Sequence, residues 1–405
     1  CIIVLDKENA DNRKGVFMID AGKGFVKDGN KNRLRAQDIH KIVDVFNKRL
    51  ELAKYSRMVP FMEVEKNECN LNIPRYIDSQ EVEDIQDIEG HLRGGIPNRD
   101  IDALEKYWSV LPGLKSALFQ PLRKNYSQLS IIHSQLKQTI YEHSEFVVFI
   151  DSMNALFAEW RRRTAKMLKG LMAGCHPKQV IKDLSEKLLA HYSGKLLIDE
   201  YDVYQHLMDY WTETMQDDCY LIAADGWKAE TYRIIEKDKK GKEKDKGWAC
   251  DLVPKPLIVA RYFAKEQEAV TKLEAELESV TAQLTEMEEE HGGEDGAFSE
   301  LDKVNKANVI ARIKELKVES GELRVGSGKL KIENGELREE QVVLEEWLKL
   351  NNQEVELKRA LKDAEAALDT KAYAQYPKLT EAEIKTLVVD DKWLATLDAA
   401  IHGEM

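Results

Sequence analysis

The sequence predicts a mainly α protein that opens with a small β portion, continues as a helical domain and extends into an antiparallel coiled-coil hairpin. Three observations predict it. Between Asp100 and Gly226 apolar residues recur every three or four positions, the period that places them on one face of a helix. From Val270 onward the alternation becomes a coiled-coil seam. Ahead of both, the pattern shortens to brief apolar runs punctuated by Asp, Asn and Gly, the grammar of strand and turn.

Ile2 to Leu5 and Val16 to Ile19 are two such runs, separated by Asp11, Asn12 and Gly15, and they read as a β-hairpin with a buried first strand. The chain opens on Cys1 rather than Met, and that first strand has no preceding element to pair with, so the sequence reads as a piece of something longer. After a Gly- and Lys-rich loop, Asp38 is placed to cap a helix. Its Ile39, Ile42, Val43, Phe46 and Leu50 form one face, expected to pack on the strands. Asn72 to Tyr76 reads as an extended strand in which Pro74 fixes the backbone and Tyr76 is packed. His91, Gly94, Gly95 and Pro97 mark a hinge, because glycine permits positive φ, with Asn98 capping a helix that begins near Asp100.

Within the helical stretch Met153, Leu156, Phe157, Trp160, Thr164, Met167, Leu168 and Leu171 share a face that Gly174 ends. Lys237 to Lys246 hold almost only Lys, Glu, Asp and Gly, with no apolar group to bury, so a solvated and disordered loop is expected. Val270, Leu273, Leu277, Val280, Leu284 and Met287 then form the first arm of the hairpin, broken at His291, Gly292, Gly293 and Gly296. In the second arm Leu316, Leu323, Leu330, Leu337 and Leu344 recur every seventh residue, alternating with Ser320, Ser327, Asn334 and Gln341, a weaker seam. Thr380-Glu381-Ala382-Glu383 is a capping box that starts a last helix. The expected domains are 1–78, a β remnant; 79–260, helical; 261–375, the coiled-coil arm; and 376–405, a C-terminal helical segment.

A formal charge of −13 repels phosphate, so nucleic acid can be met only through a local patch. The longest apolar run, Phe146 to Ile150, is far short of the roughly 18 residues of a membrane span, so no membrane crossing is expected. Cys1, Cys69, Cys175, Cys219 and Cys250 show no paired spacing for zinc or a disulfide framework, which fits a reducing cytoplasm. The densest helical basic cluster is Arg161, Arg162, Arg163, Lys166 and Lys169, with Arg162, Lys166 and Lys169 on one face. It is a candidate DNA contact, weighed against an ordinary solvated face. Gly22-Lys23-Gly24 and Gly326-Ser327-Gly328-Lys329 lack the spacing of a phosphate loop and read as turn and weak helix. Tyr201, Tyr204, Met208 and Trp211 read as a packed helix face rather than a base-stacking box, and adjacent Cys175 and His176 as structural.

Longer strings carry more information. CIIVLDK at 1–7, the run from Asn32 through SRMV at 56–59, NLNIPRY at 70–76 and HLRGGIPNRDIDALEKYW at 91–108 stand in order with LIDEYDVYQHLMDYW at 197–211, DLVPKPLIVARYFAKEQ at 251–267 and LVVDDKWLATLDAAIHGEM at 387–405. Together they resemble the modification (methyltransferase) subunit of type I restriction-modification systems, from the end of its catalytic domain onward.

The resemblance implies a Rossmann-like methyltransferase domain followed by helices, and an adenine-N6 DNA methyltransferase that moves a methyl group from S-adenosylmethionine to a flipped-out adenine. It implies as partners a specificity subunit, a second modification subunit, a restriction subunit and, through the assembled complex, DNA. The family's glycine-containing donor loop and its Asn/Asp-Pro-Pro-Tyr/Phe adenine clamp are absent here. Asn72-Ile73-Pro74-Arg75-Tyr76 approximates the clamp but lacks the second proline. The chain is therefore expected to hold no cofactor, no metal and no catalytic residue, and to act as a scaffold within a larger enzyme. The rival expectation is a stand-alone helical adaptor that dimerises through its coiled coil, or a DNA-binding interaction protein.

Overall fold

The computed structural model describes residues 2–8, 10–79, 86–237, 241, 243–294, 296–319 and 335–403, the side chains of 319 and 335–337 excepted. Two compact units are formed, one by Cys1–Lys228 with Val388–Met405, the other by Ala229–Leu387. Among the described residues the chain is mainly helical, with four small sheets.

In the first unit the expected hairpin does not form. Ile2 to Leu5 pair with nothing among the described residues and are 60–91% exposed. β1 (Gly15–Ile19) instead runs antiparallel to β4 (Ser56–Pro60), Gly15 opposite Pro60 and Ile19 opposite Ser56. β2 (Val26–Asp28) and β3 (Lys31–Arg33) make a short hairpin of their own. A four-residue apolar run fits any neighbour, so burial decides: the β1–β4 register brings Met18 and Val59 into one cluster with Val64, Tyr76 and Ile77.

The helix after β3, α1 (Ala36–Lys48), is capped from Arg35 rather than Asp38. Asp38 is the third residue, and its carboxylate accepts the Arg35 backbone N–H at 2.9 Å and two guanidinium N–H groups at 2.9 and 3.0 Å. The apolar face expected to pack on the strands is only partly covered, with Ile42 and Phe46 half-buried. Ile39, Val43 and Leu50 are exposed, whereas Gln37, Asp38 and Val45 are buried. β4 leads into α2 (Phe61–Lys66), and Ile73–Arg75 form a 3₁₀ turn where an extended strand was expected. Pro74 suits the start of such a turn because it has no N–H to satisfy. Tyr76 is buried, as expected, and donates its hydroxyl to the Asn70 carbonyl at 2.5 Å.

Four short helices follow, α3 (Ile88–Arg93), α4 (Asn98–Asp102), α5 (Glu105–Trp108) and α6 (Pro112–Leu118). They surround an antiparallel sheet ordered β5 (Ile96–Pro97), β7 (Tyr126–Leu129), β6 (Phe119–Arg123), which interrupts the helical run expected from Asp100. Gly95 has φ +93, and a Cβ there would lie 2.9 Å from Leu122, so glycine is required. Asn98 lies inside α4 rather than capping it; its side-chain oxygen accepts the Ser127 hydroxyl at 2.8 Å.

The core of this unit is helical: α7 (Leu136–Glu142), α8 (Ser144–Lys169), α9 (Pro177–Tyr192), α10 (Glu200–Tyr210), a π-helical turn at Trp211–Met215 and α11 (Gln216–Asp225). α8 stops at Lys169, and Gly174 lies in the following loop at φ +82 instead of ending the helix. The C-terminal helix α17 (Ala395–His402) packs on α10. Just before it, Lys392 Nζ donates to both oxygens of buried Asp218 at 2.9 and 2.7 Å and the Trp393 indole N–H donates to the same carboxylate at 2.7 Å.

The second unit starts with a hairpin of β8 (Tyr232–Lys237) and β9 (Glu243–Ala249). Part of the loop expected at 237–246 is thus strand, since ladder hydrogen bonds need no buried side chain; 238–240 and 242, where disorder was expected, lie outside the described residues. After α12 (Lys255–Tyr262), α13 (Ala264–Glu290) packs along α15 (Gly335–Gln375). Lys371 to Glu266 at 3.0 Å, Thr281 to Glu354 at 3.1 Å and Trp347 to Glu288 at 2.9 Å fix their antiparallel sense. α14 (Lys306–Glu319) runs parallel to α15, through Arg312 to Glu340 at 2.8 Å and Lys317 to Glu345 at 2.9 Å.

The seam expected on the first arm is the covered side of α13, with Val270, Val280 and Leu284 buried. The second arm is not one helix among the described residues. Leu316 and Leu344 belong to α14 and α15 and meet in a single cluster with Val309, Ile313, Phe298 and Trp347. The seam positions between them, from Ser320 through Leu337, lie outside the described side chains. α16 (Glu381–Lys385) begins with the expected capping box, Glu383 N–H to Thr380 Oγ1 at 3.3 Å and Thr380 N–H to Glu383 Oε2 at 2.8 Å.

Candidate functional site

The basic cluster falls on the last turns of α8. Phe157, Trp160, Thr164 and Leu168 bury the opposite face, which turns Arg162 and Lys166 to solvent one helical turn apart. Arg163 is paired with Glu159 on its own helix, and Lys169 with Asp390. Arg161 is half-buried. The five-residue cluster therefore narrows to two cations, Arg162 and Lys166, with no carboxylate within ion-pair distance among the described residues. Lys166 lies in the last turn of the helix, where partial negative charge of the carbonyls favours a cation even without a ligand.

A second polar locus, unmarked in the sequence, lies where α1 meets α10. A cavity of about 300 Å³ there is lined by Lys23, Arg35, Lys41 and Lys54 and, with them, Asp20, Asp38, Asp199 and Asp202. The charges largely compensate one another: Arg35 is bonded to Asp38, and Lys41 sits 3.5 Å from Asp199. Lys41 also lies 5.4 Å from the Tyr55 ring centroid and 5.3 Å from that of Tyr201. Gln37 donates to Asp202 at 2.7 Å, and its backbone N–H to Gln205 at 3.0 Å. Burial, reinforced by Asp38 and Asp20, raises the Tyr55 phenol above its usual range. Burial also raises that of Tyr201, beside Asp44. These tyrosines remain neutral hydrogen-bonding groups at physiological pH. Partners some 165 residues apart leave no local motif, so only the fold assembles this locus.

Gly22-Lys23-Gly24 forms a turn, Gly22 N–H bonding Asp20 Oδ1 at 3.0 Å, and its Lys23 and Gly24 line the cavity. A Cβ on Gly24 would lie 2.8 Å from Asp38 Oδ1, so the loop must approach α1 without a side chain. Gly326 to Lys329 lie outside the described residues. The Asn72 to Tyr76 segment offers no stacking ring, because Tyr76 is committed to the core around Met18 and Val59. Tyr201, Tyr204 and Trp211 are likewise buried, the first two clustered with Leu189 against Met208 and Ala36. Among the described residues no group of three or more His, Cys, Asp and Glu is placed to hold a metal ion. No described helix is long and apolar enough to cross a membrane.

Comparison with known proteins locates the likeness at the start of the chain. The N-6 DNA Methylase family matches residues 1–85. The chain is 29% identical over 116 residues to the type I restriction enzyme MpnII methylase subunit of Mycoplasma pneumoniae, covering 28% of this chain and 21% of that protein. It is 36% identical over 89 residues to the type I restriction enzyme MjaVII methylase subunit of Methanocaldococcus jannaschii, covering 21% of this chain and 15% of that protein. The matched part thus spans about a fifth or less of these curated relatives. No solved structure matches. Residues 1–85 thus resemble the N-6 DNA Methylase family, and over 21–28% of its length the chain is similar to methylase subunits of type I restriction enzymes.

Proposed function

We propose that the chain is the scaffold and subunit-assembly region, toward the C-terminus, of an adenine-N6 DNA methyltransferase subunit, and that it supplies no catalytic residue itself. The observation that carries this reading is a set of apolar side chains left open inside the region matched by the N-6 DNA Methylase family: Ile2 to Leu5, Ile39, Val43 and Leu50 are all exposed. Surfaces of this kind on a soluble domain mark a contact with another segment or chain. Residues 1–78 are then the closing part of a Rossmann-like catalytic domain whose remaining sheet covers that face.

In this reading residues 79–260 orient the catalytic domain, 261–375 form a coiled-coil hairpin arm and 376–405 tie the end of the chain back. The specificity subunit supplies sequence recognition, a second modification subunit and the restriction subunit complete a cytoplasmic complex, and Arg162 and Lys166 neutralise DNA phosphate within it. S-adenosylmethionine is the methyl donor of the intact subunit. The residues here do not fit it, since the family's glycine-containing donor loop does not occur in this sequence and the α1–α10 cavity holds Arg35 against Asp38 and Lys41 against Asp199.

Hydrogen-deuterium exchange tests the covered face. Residues 2–5 and 39–50 should exchange more slowly in the assembled type I complex than in this chain alone, and equal exchange in the two would reject the reading.

A further inference from the structure

Cys175 and Cys219 are 44 residues apart in sequence, which hides their relation, and the fold brings them together. The loop between α8 and α9 is stitched to the C-terminal part of α11 and the segment just after it by two hydrogen bonds. Gly174 N–H donates to the Ala223 carbonyl at 2.8 Å, and the Trp227 indole N–H to the Leu171 carbonyl at 2.7 Å. Cys219 lies one turn before Ala223 on α11, so the next residue of the loop, Cys175, meets it. The Cys175 thiol points at the Cys219 carbonyl, Sγ to O 4.0 Å. Cys219 is fully buried and Cys175 only half-buried, which gives the pair an outer member that solvent reaches and an inner one that it does not.

We propose that Cys175 and Cys219 form a redox-sensitive modification site, in which a small-molecule disulfide converts the two thiols into a cross-link between the α8–α9 loop and α11. Cys175 loses its proton to solvent, and its thiolate attacks one sulfur of the oxidant RSSR. The oxidant's S–S bond breaks, and one RS⁻ leaves and takes up a proton. Cys219, deprotonated in turn, attacks the Cys175 sulfur of the mixed disulfide and expels the second RS⁻, which is also protonated. Two cysteine thiols are oxidised by two electrons, and one RSSR is reduced to two RSH.

Burial pushes both thiols up, Cys219 to about 12, so the reactive thiolate is scarce near neutrality. Cross-linking is therefore slow, and its rate should rise about tenfold per pH unit through the neutral range. His176 supplies no base in this scheme; its backbone begins α9.

The test treats the full chain with glutathione disulfide at pH 7 and pH 8, blocks remaining thiols, digests with trypsin without reduction and reads the peptides by mass spectrometry. The expected product joins the Cys175 and Cys219 peptides, two hydrogens lighter than their sum, forms faster at pH 8 and is reversed by dithiothreitol. Melting of the oxidised chain should rise by about 5 °C. Cys175→Ser should abolish the product and Cys69→Ser leave it unchanged. Because the wild-type digest alone maps the bond, a variant that fails to fold does not blunt the test. Glutathione left on Cys175 with Cys219 still free after prolonged oxidation would overturn the proposal, as would a bond from Cys175 to any other cysteine.

Discussion

At the scale of single residues, the strongest constraint is the buried cluster of Asp218, Lys392 and Trp393. Their side chains are nearly closed to solvent, and burial raises the Asp218 carboxyl above its usual range despite the adjacent ammonium. Desolvation therefore offsets much of the attraction, yet removing one partner strands the other. Asp218→Ala should lower unfolding free energy in urea by about 3–5 kcal/mol, and Asp218→Leu combined with Lys392→Met should restore part of that loss. If the double variant is no better than the single one, the ionic pair itself contributes net stability. Asp38 behaves in the opposite sense. Burial raises its carboxyl, but hydrogen bonds from the Arg35 side chain and backbone outweigh that and hold it below the usual range. A carboxyl lowered in the folded state adds stability that is present above the ordinary carboxylate pKa and lost as pH falls through the lowered value. Urea stability should accordingly drop by about 1 kcal/mol as pH falls below about 4, and Asp38→Asn should flatten that drop.

At the scale of elements, the two sides of α1 and of α8 make contrasting demands. Ile39→Asp and Val43→Asp alter exposed positions and should change the stability of this chain by no more than about 0.5 kcal/mol. Leu344→Ala, in the cluster where α13, α14 and α15 meet, should cost about 2–5 kcal/mol because the residue is fully buried. Reversal of that order, read by urea unfolding, would mean that α1 packs by the face its hydrophobic pattern marks. For α8, Arg162→Glu with Lys166→Glu should reduce the slope of log affinity against log salt by about 2 in the assembled complex on duplex DNA. An unchanged slope would leave both residues as solvated cations.

At the scale of the whole molecule, a formal charge of −13 opposes any general hold on nucleic acid. This chain on its own should therefore fail to shift duplex DNA at micromolar concentration in 0.15 M salt. Calorimetry with S-adenosylmethionine should show no micromolar binding, and a measurable heat of binding would contradict the scaffold reading.

Sequence by itself determined the class of the fold and the resemblance to the methylase subunits. Helical periodicity, the covered side of α13 and the Thr380–Glu383 capping box depend on contacts three or four residues apart, which local spacing records faithfully. The family strings are legible for the same reason, being runs of neighbouring residues. Which apolar run pairs with which strand, which side of α1 is buried, and the meeting of Leu316 with Leu344 from two helices were decided only by the tertiary structure. So were the α1–α10 cavity and the Cys175–Cys219 pair. The physical reason is shared. Burial is non-directional and rewards total apolar area and charge compensation across distant segments, so a pattern that several partners satisfy equally is resolved only when the competing partners are packed together.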